Sequence, residues 1–371
     1  MTVRYVDGTD GNDAYNGLAA VFDGTNGPKK TLNGAEDTPV QAGDLVHVRS
    51  GVYRETLTCD VSGSAGNAIE YRGDYTGAIW SGGGVVRITG SDNDQTATRA
   101  NFVVANSKDY RTFDGFVCDI ASSVGWNLTT VNNWRLDRLY ISGSVGGIQF
   151  IGDCKSNTVA RAAIIGLTTG GGPILFLDAA TERSDTANMV ENCLGLNGRD
   201  GGIFLQSVRV GGITVRNSTI ILSPSGFNVS ALAVGQTVTV NNCIIAWCNY
   251  AFIAGAAGMV TENYNTVYAV SSPRTNVTAG ANSNTYPPLF DARWFFEAVN
   301  GGDMVTPFDL ASYSQLVNLA GTSPTTTDMR GTSVVGAQRE WGSLEFDPSL
   351  LIESAAGGGG AVSISPYRGN F

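Results

Sequence analysis

The chain has 371 residues, 48 of them glycine, with 42% hydrophobic residues, 15% charged residues and a formal net charge of −10. That balance supplies ample core and argues against partnership with nucleic acid or an anionic membrane surface. No apolar run approaches the length of a membrane-spanning helix. The first residues, Met1 to Asp7, pass straight into strand-like sequence without a charged-then-apolar leader, so no signal peptide is expected.

Residues 1–60 read as an N-terminal cap and first coil. Tyr5 to Asp13 is an Asp/Gly/Asn-rich turn segment. Asp7, Asp10 and Asp13 are spaced oxygen ligands on a Gly-rich loop, a pattern that suits Ca²⁺. No bidentate Glu follows at EF-hand spacing, and turn chemistry competes for the same carboxylates. A short helix is expected from Leu32 to Asp37. Ala42 to Arg49 is a turn entering a strand, and it holds the single histidine, His47, which reads as a core or rim residue.

Residues 61–285 carry a repeat. Met189-Val190-Glu191-Asn192-Cys193-Leu194 is matched by Thr214-Val215-Arg216-Asn217-Ser218-Thr219, by Thr239-Val240-Asn241-Asn242-Cys243-Ile244 and by Glu262-Asn263-Tyr264-Asn265-Thr266-Val267. An asparagine recurs at 192, 217, 242 and 265, at steps of 25, 25 and 23. The column continues backwards through Arg161, Arg138 and Gly115, and the 31-residue step from 161 to 192 implies an inserted loop near Ala179 to Asp185. A fixed period of this size marks a solenoid whose units must stack to bury their apolar side. Alternating strands interrupted by Gly or Asn, with no long helical period and no Leu-x-x-Leu-x-Leu core, specify an all-β chain, a right-handed parallel β-helix. Val190, Val215 and Val240 should then point inward in register, and the asparagines should stack at a left-handed corner.

The six cysteines show no C-x-x-C pair. Cys193 and Cys243 sit two coils apart, about 9.6 Å at the strand spacing, too far for a disulfide. Buried free thiols are expected. Residues 286–353 read as a C-terminal capping segment, with Arg293-Trp294-Phe295-Phe296 as a cover for the open end or a protein contact. Residues 354–371 are a Gly-rich linker and tail, with Val362, Ile364, Tyr367 and Phe371 as anchors that could dock on a neighbour.

The run Gly43-Asp44-x-Val46-x-Val48-x-x-Gly51-x-Tyr53-x-Glu55, followed by Gly66 to Gly73, resembles the first coil of the pectate-lyase-like β-helix superfamily. Pro288 to Asp291, Ser314 to Gly321 and Gly342 to Phe346 resemble its closing segment, so the resemblance spans roughly residues 3–347. It implies the fold and leaves function open, because the superfamily includes lyases, hydrolases, epimerases, tail spikes and inert virion proteins. Lyases of this kind need acidic calcium ligands beside an exposed Arg or Lys, and hydrolases need clustered aspartates. The position of Glu191 is filled by Asp137, Ala160, Arg216 and Asn241 in other coils, so no repeated carboxylate column is expected. Asp200, beside Arg199 in Gly198-Arg199-Asp200-Gly201-Gly202, is the best single catalytic candidate, with Glu191 behind it.

These readings lead to a non-enzymatic structural protein of a tailed-phage virion, such as a capsid decoration, head fibre or tail spike. Its partners would be virion or capsid proteins, copies of itself and surface glycans; no cofactor is expected, with Ca²⁺ at the N-terminal turn as the alternative. The alternative is a β-helix polysaccharide lyase or glycoside hydrolase, or a non-catalytic glycan-binding module.

Overall fold

A computed structural model describes residues 1–37, 40–165, 174–177, 185–196 and 203–288. The chain winds as a right-handed parallel β-helix with three faces per coil. The first face runs from strand Val3–Val6 to Val260–Asn263, the second from Gly51–Tyr53 to Thr266–Tyr268, and the third from Leu57–Cys59 to Ser272–Thr275. The first two faces form one 17-stranded sheet, because Arg111–Asp119 and Arg135–Ser142 each bend through the corner without a break. The third face is a separate nine-stranded sheet.

The period-two alternation of each strand sends every second side chain inward. On the first face this makes one column, Tyr71, Phe113, Leu136, Val159, Val190, Val215 and Val240, in register from coil to coil. All seven are buried. Each valine taken from water stabilises by roughly 1.5–3 kcal/mol, and no coil can collect that without its neighbours.

The corner between the first two faces is a single residue in the left-handed region. It is Gly115, Arg138, Arg161, Asn192, Asn217 and Asn242 in successive coils, with φ between 49° and 82°. The last member is a correction to the sequence expectation. Register pairs Asn241 with Asn263, so the corner after Asn242 is Tyr264 at φ 54°, not Asn265. Asn265 lies one position on, in line with Cys243 and fully buried. Tyr264 takes the strained conformation because only Tyr264 and Asn265 join the paired strands Val260–Asn263 and Thr266–Tyr268.

Both ends of the described core carry a buried ion pair. At the N-terminal end, helix Leu32–Asp37 places Glu36 against Arg111, whose side chain is 0% exposed. Arg111 Nη1 and Nη2 donate to the two Glu36 oxygens at 2.7 and 2.8 Å, and Nε donates to the Val61 carbonyl at 2.8 Å. At the other end, Glu262 takes the inward position that Val240 holds one coil earlier. It accepts from Arg274, Asn265, Ser283 and the Gly280 amide, which satisfies a carboxylate inside the coil. Residues 1–60 do more than cap, since Val3–Val6 pairs with Leu45–Val48 and opens the first face.

All six cysteines are free and buried. The insertion at 179–184, the capping segment from 289, the Arg293 to Phe296 cluster and the tail anchors Val362, Ile364, Tyr367 and Phe371 lie outside the described residues.

Candidate functional site

Among the described residues, the predicted site residues do not gather into one site. Asp7 accepts from the Thr9 and Asp10 amides and pairs with Arg49 at 2.7 Å, as does Asp10. Asp13 turns elsewhere, to the Lys30 and Thr31 amides and the Thr31 hydroxyl. These carboxylates are spent on turn and ion-pair bonds. Asp200 and Arg199 lie outside the described residues.

The expected lack of a carboxylate column needs correction. Asp114 and Asp137 are direct register neighbours on the outward side of the first face, and Glu191 follows two coils on across Ala160. The sequence expectation ends at Asp137 and omits Asp114, although Gly115, the residue after Asp114, stands in the same corner column. Each carboxylate meets a guanidinium. Arg138 donates through Nε and Nη2 to Asp114, Arg161 to Asp137 at 2.6 Å twice, and Arg216 to Glu191 at 3.0 and 2.7 Å. Burial pushes the Asp137 carboxyl up, but the Arg161 hydrogen bond and the Arg135 and Arg161 charges outweigh it and hold it below the usual value. Arg138 and Arg161 are correspondingly raised, first of all by their carboxylate hydrogen bonds. Such pairs tie coil to coil. Glu191, named in the sequence as a catalytic candidate, belongs to this ladder.

An open polar groove lies instead on the outward side of the third face. Its volume is about 270 Å³, and Thr58, Asp60, Asn106, Lys108, Asn127 and Thr129 line it. The strands explain the lining. Leu57 and Cys59 point in and Thr58 points out, and Thr58, Val104 and Asn127 are register neighbours. The same outward column runs on through Gln149, Leu175, Gln206 and Asn228. Four carboxamides therefore project from one face along the solenoid axis, each with a donor and an acceptor end. Among the described residues, no donor reaches the buried Asn127 Oδ1. Neither Lys108 nor Asp60 has an ion-pair partner among the described residues. The groove escaped the sequence reading because the third-face strands share no repeated residue, only an outward position that register reveals.

No protein-family model matches the chain, and no curated protein matches it significantly. Solved structures do. A rhamnogalacturonan lyase aligns with a TM-score of 0.55 at 16% identity, over 74% of this chain and 75% of that one. The pectate lyase Pel9A aligns with a TM-score of 0.50 at 14% identity, over 94% of this chain and 97% of that one. At such identities the likeness speaks for the fold alone, and it agrees with the first-coil residues: this chain is a right-handed parallel β-helix.

Proposed function

We propose that this protein binds a polysaccharide along the outward side of its third face. The observation that carries the reading is the buried, donor-less Asn127 Oδ1 at the groove, in register with Gln149 and with Gln206 and Asn228 beyond it. A buried acceptor without a donor costs about 1–3 kcal/mol, which a ligand hydroxyl would recover. Carboxamides stacked at the coil spacing present alternating donors and acceptors to a chain of hydroxyl-bearing rings. Lys108 adds a cation free to meet an acidic sugar. By title one of the two solved structures is a rhamnogalacturonan lyase and the other a pectate lyase, and both names fit a glycan as the ligand class.

The test is affinity electrophoresis through gels containing pectate, rhamnogalacturonan, alginate or a neutral glycan. Retention should appear with at least one acidic glycan. The double variant Asn127→Ala/Gln149→Ala should weaken it at least about tenfold, the scale of one to two lost hydrogen bonds. Absence of retention by every glycan, or a double variant retained as well as the parent, refutes the reading. Absorbance of unsaturated sugar ends in the same mixtures asks whether binding leads to β-elimination. Lys108 is the groove residue able to act there as a base, so any turnover should be lost in Lys108→Ala. The virion role rests on the 354–371 tail, which lies outside the described residues, and on nothing in the groove.

A further inference from the structure

The later strands of the second face break the alternation that holds elsewhere. Ala163–Ile165, Thr219–Ile221 and Ile244–Ala246 are buried at every position, and so are Leu194, Gly195, Thr266 and Val267. Successive residues of a strand point to opposite sides, so unbroken burial means that both sides of this face are covered. Ile164, Ile220, Ile245 and Val267 belong to the interior of the coil. Register puts Ala163, Leu194, Thr219, Ile244 and Thr266 in one outward column, with Ile165, Ile221 and Ala246 in the column beside it.

This stretch of the outward side carries no charged residue. Ala163, Ile165 and Leu194 pack together outside the main core, against the half-buried Tyr140 and Leu196. The cover has an edge. In the first coils of the same outward column Val52 is 48% exposed, and Arg87, Val117 and Tyr140 are half-buried. Among the described elements, the strands of this face pack on one another. At the last coil the Thr266 hydroxyl donates to Asn284 Oδ1 at 2.8 Å.

These side chains are shielded within a single chain, so the cover comes from the same chain. The connections at 222–224 and 247–249 are short and lead directly to the third-face strands Ser225–Val229 and Tyr250–Ala254. Residues 166–173, 178–184 and 197–202 hold one large apolar residue between them, Leu167, too little to cover this face. Beyond Pro288, by contrast, come Leu289-Phe290 and Trp294-Phe295-Phe296. Asn284 continues the register of Thr266 at the last coil, and Pro288 just beyond it is buried. From that coil back to Ala163 is about 19 Å at the strand spacing, which about six extended residues span. We propose that the outward side of the second face, from Ala163 to Thr266, is a docking surface for the chain's own residues 289–353, whose apolar side chains close it. The face takes a segment of the chain rather than a ligand, and nothing in this reading depends on the third-face groove.

The test inserts a site for a sequence-specific protease between Thr285 and Tyr286, both exposed, in the full-length chain. The folded protein is cut there and passed over a size-exclusion column. Residues 286–371 should co-elute with residues 1–285 and separate only in denaturant. Ile244→Asp sets an unpaired carboxylate under the cover and should release the fragment on cutting. Val52→Asp, in the same column beyond the cover, should retain it. Far-ultraviolet circular dichroism checks that the coil is intact in each variant. Thr219→Lys, also outward, stands in if Ile244→Asp fails to fold, and it too should release the fragment. Release from the parent on cutting overturns the proposal, as does retention by either covered-face variant. A cut parent that loses the fragment and elutes as a dimer gives the face to a second copy and overturns it as well. Release from Val52→Asp overturns the placement of the cover on the later coils.

Discussion

Glu36→Gln removes the charge that the buried Arg111 guanidinium faces and keeps the shape of the side chain. In the parent, Arg111 is wholly enclosed, and Glu36 receives two of its nitrogens and the Tyr71 hydroxyl, the last at 2.6 Å. Breaking one partner of such a pair leaves an uncompensated charge in the core and costs about 3–5 kcal/mol. The double variant Glu36→Leu/Arg111→Met removes both charges. It leaves the Tyr71 hydroxyl, the part-buried Asp60 amide and the Val61 carbonyl to find new partners, at about 1–3 kcal/mol each at most. It should therefore unfold at higher denaturant than Glu36→Gln. Equilibrium denaturation followed by far-ultraviolet circular dichroism measures both. A Glu36→Gln cost below about 1 kcal/mol would refute the reasoning, as would a double variant at least as unstable as the single one. Either result would mean that the helix is not anchored through this pair.

Burial pushes the thiols of Cys59, Cys193 and Cys243 up to about 12, and those of Cys154 and Cys248 up to about 11. A thiol reagent at neutral pH should therefore leave all five unmodified in the folded protein and titrate them after denaturation. At the corner, Asn217 holds φ 50°, so Asn217→Val should cost about 1–3 kcal/mol more than Asn217→Gly by thermal denaturation, because a β-branched residue resists that region and glycine does not. Asp137 has a folded pKa below its unfolded value, so its contribution is complete above the unfolded value, about 3.9, and is lost as pH falls through the folded one. Asp137→Asn should flatten that part of the acid limb of a stability-against-pH curve, and an unchanged limb would show that the pair with Arg161 contributes nothing.

The β-helix was legible because its cause is periodic. Val190, Val215 and Val240 repeat at the coil length and stack as that repeat requires, and Asn192, Asn217 and Asn242 mark the corner because few side chains tolerate its backbone. The slip from Tyr264 to Asn265 shows the limit of that legibility. An asparagine beside the corner looks the same in sequence as one on it, and only strand register separates them. The helix Leu32–Asp37 was also readable, but its anchor was not, since Glu36 and Arg111 stand 75 positions apart in the chain.

The sequence by itself determined the coil, its length and its inward residues, because these follow from local alternation and a repeated unit. Tertiary structure decided everything that depends on the outward columns. The coils differ in length, so equal spacing does not predict that Asn127 lies beside Gln149, or that His47, Arg72 and Asp114 stand in one outward column. Outward polar residues carry no burial constraint and need not repeat. Their chemistry becomes visible only once parallel pairing sets which residue stands beside which, about 4.8 Å away on the next coil.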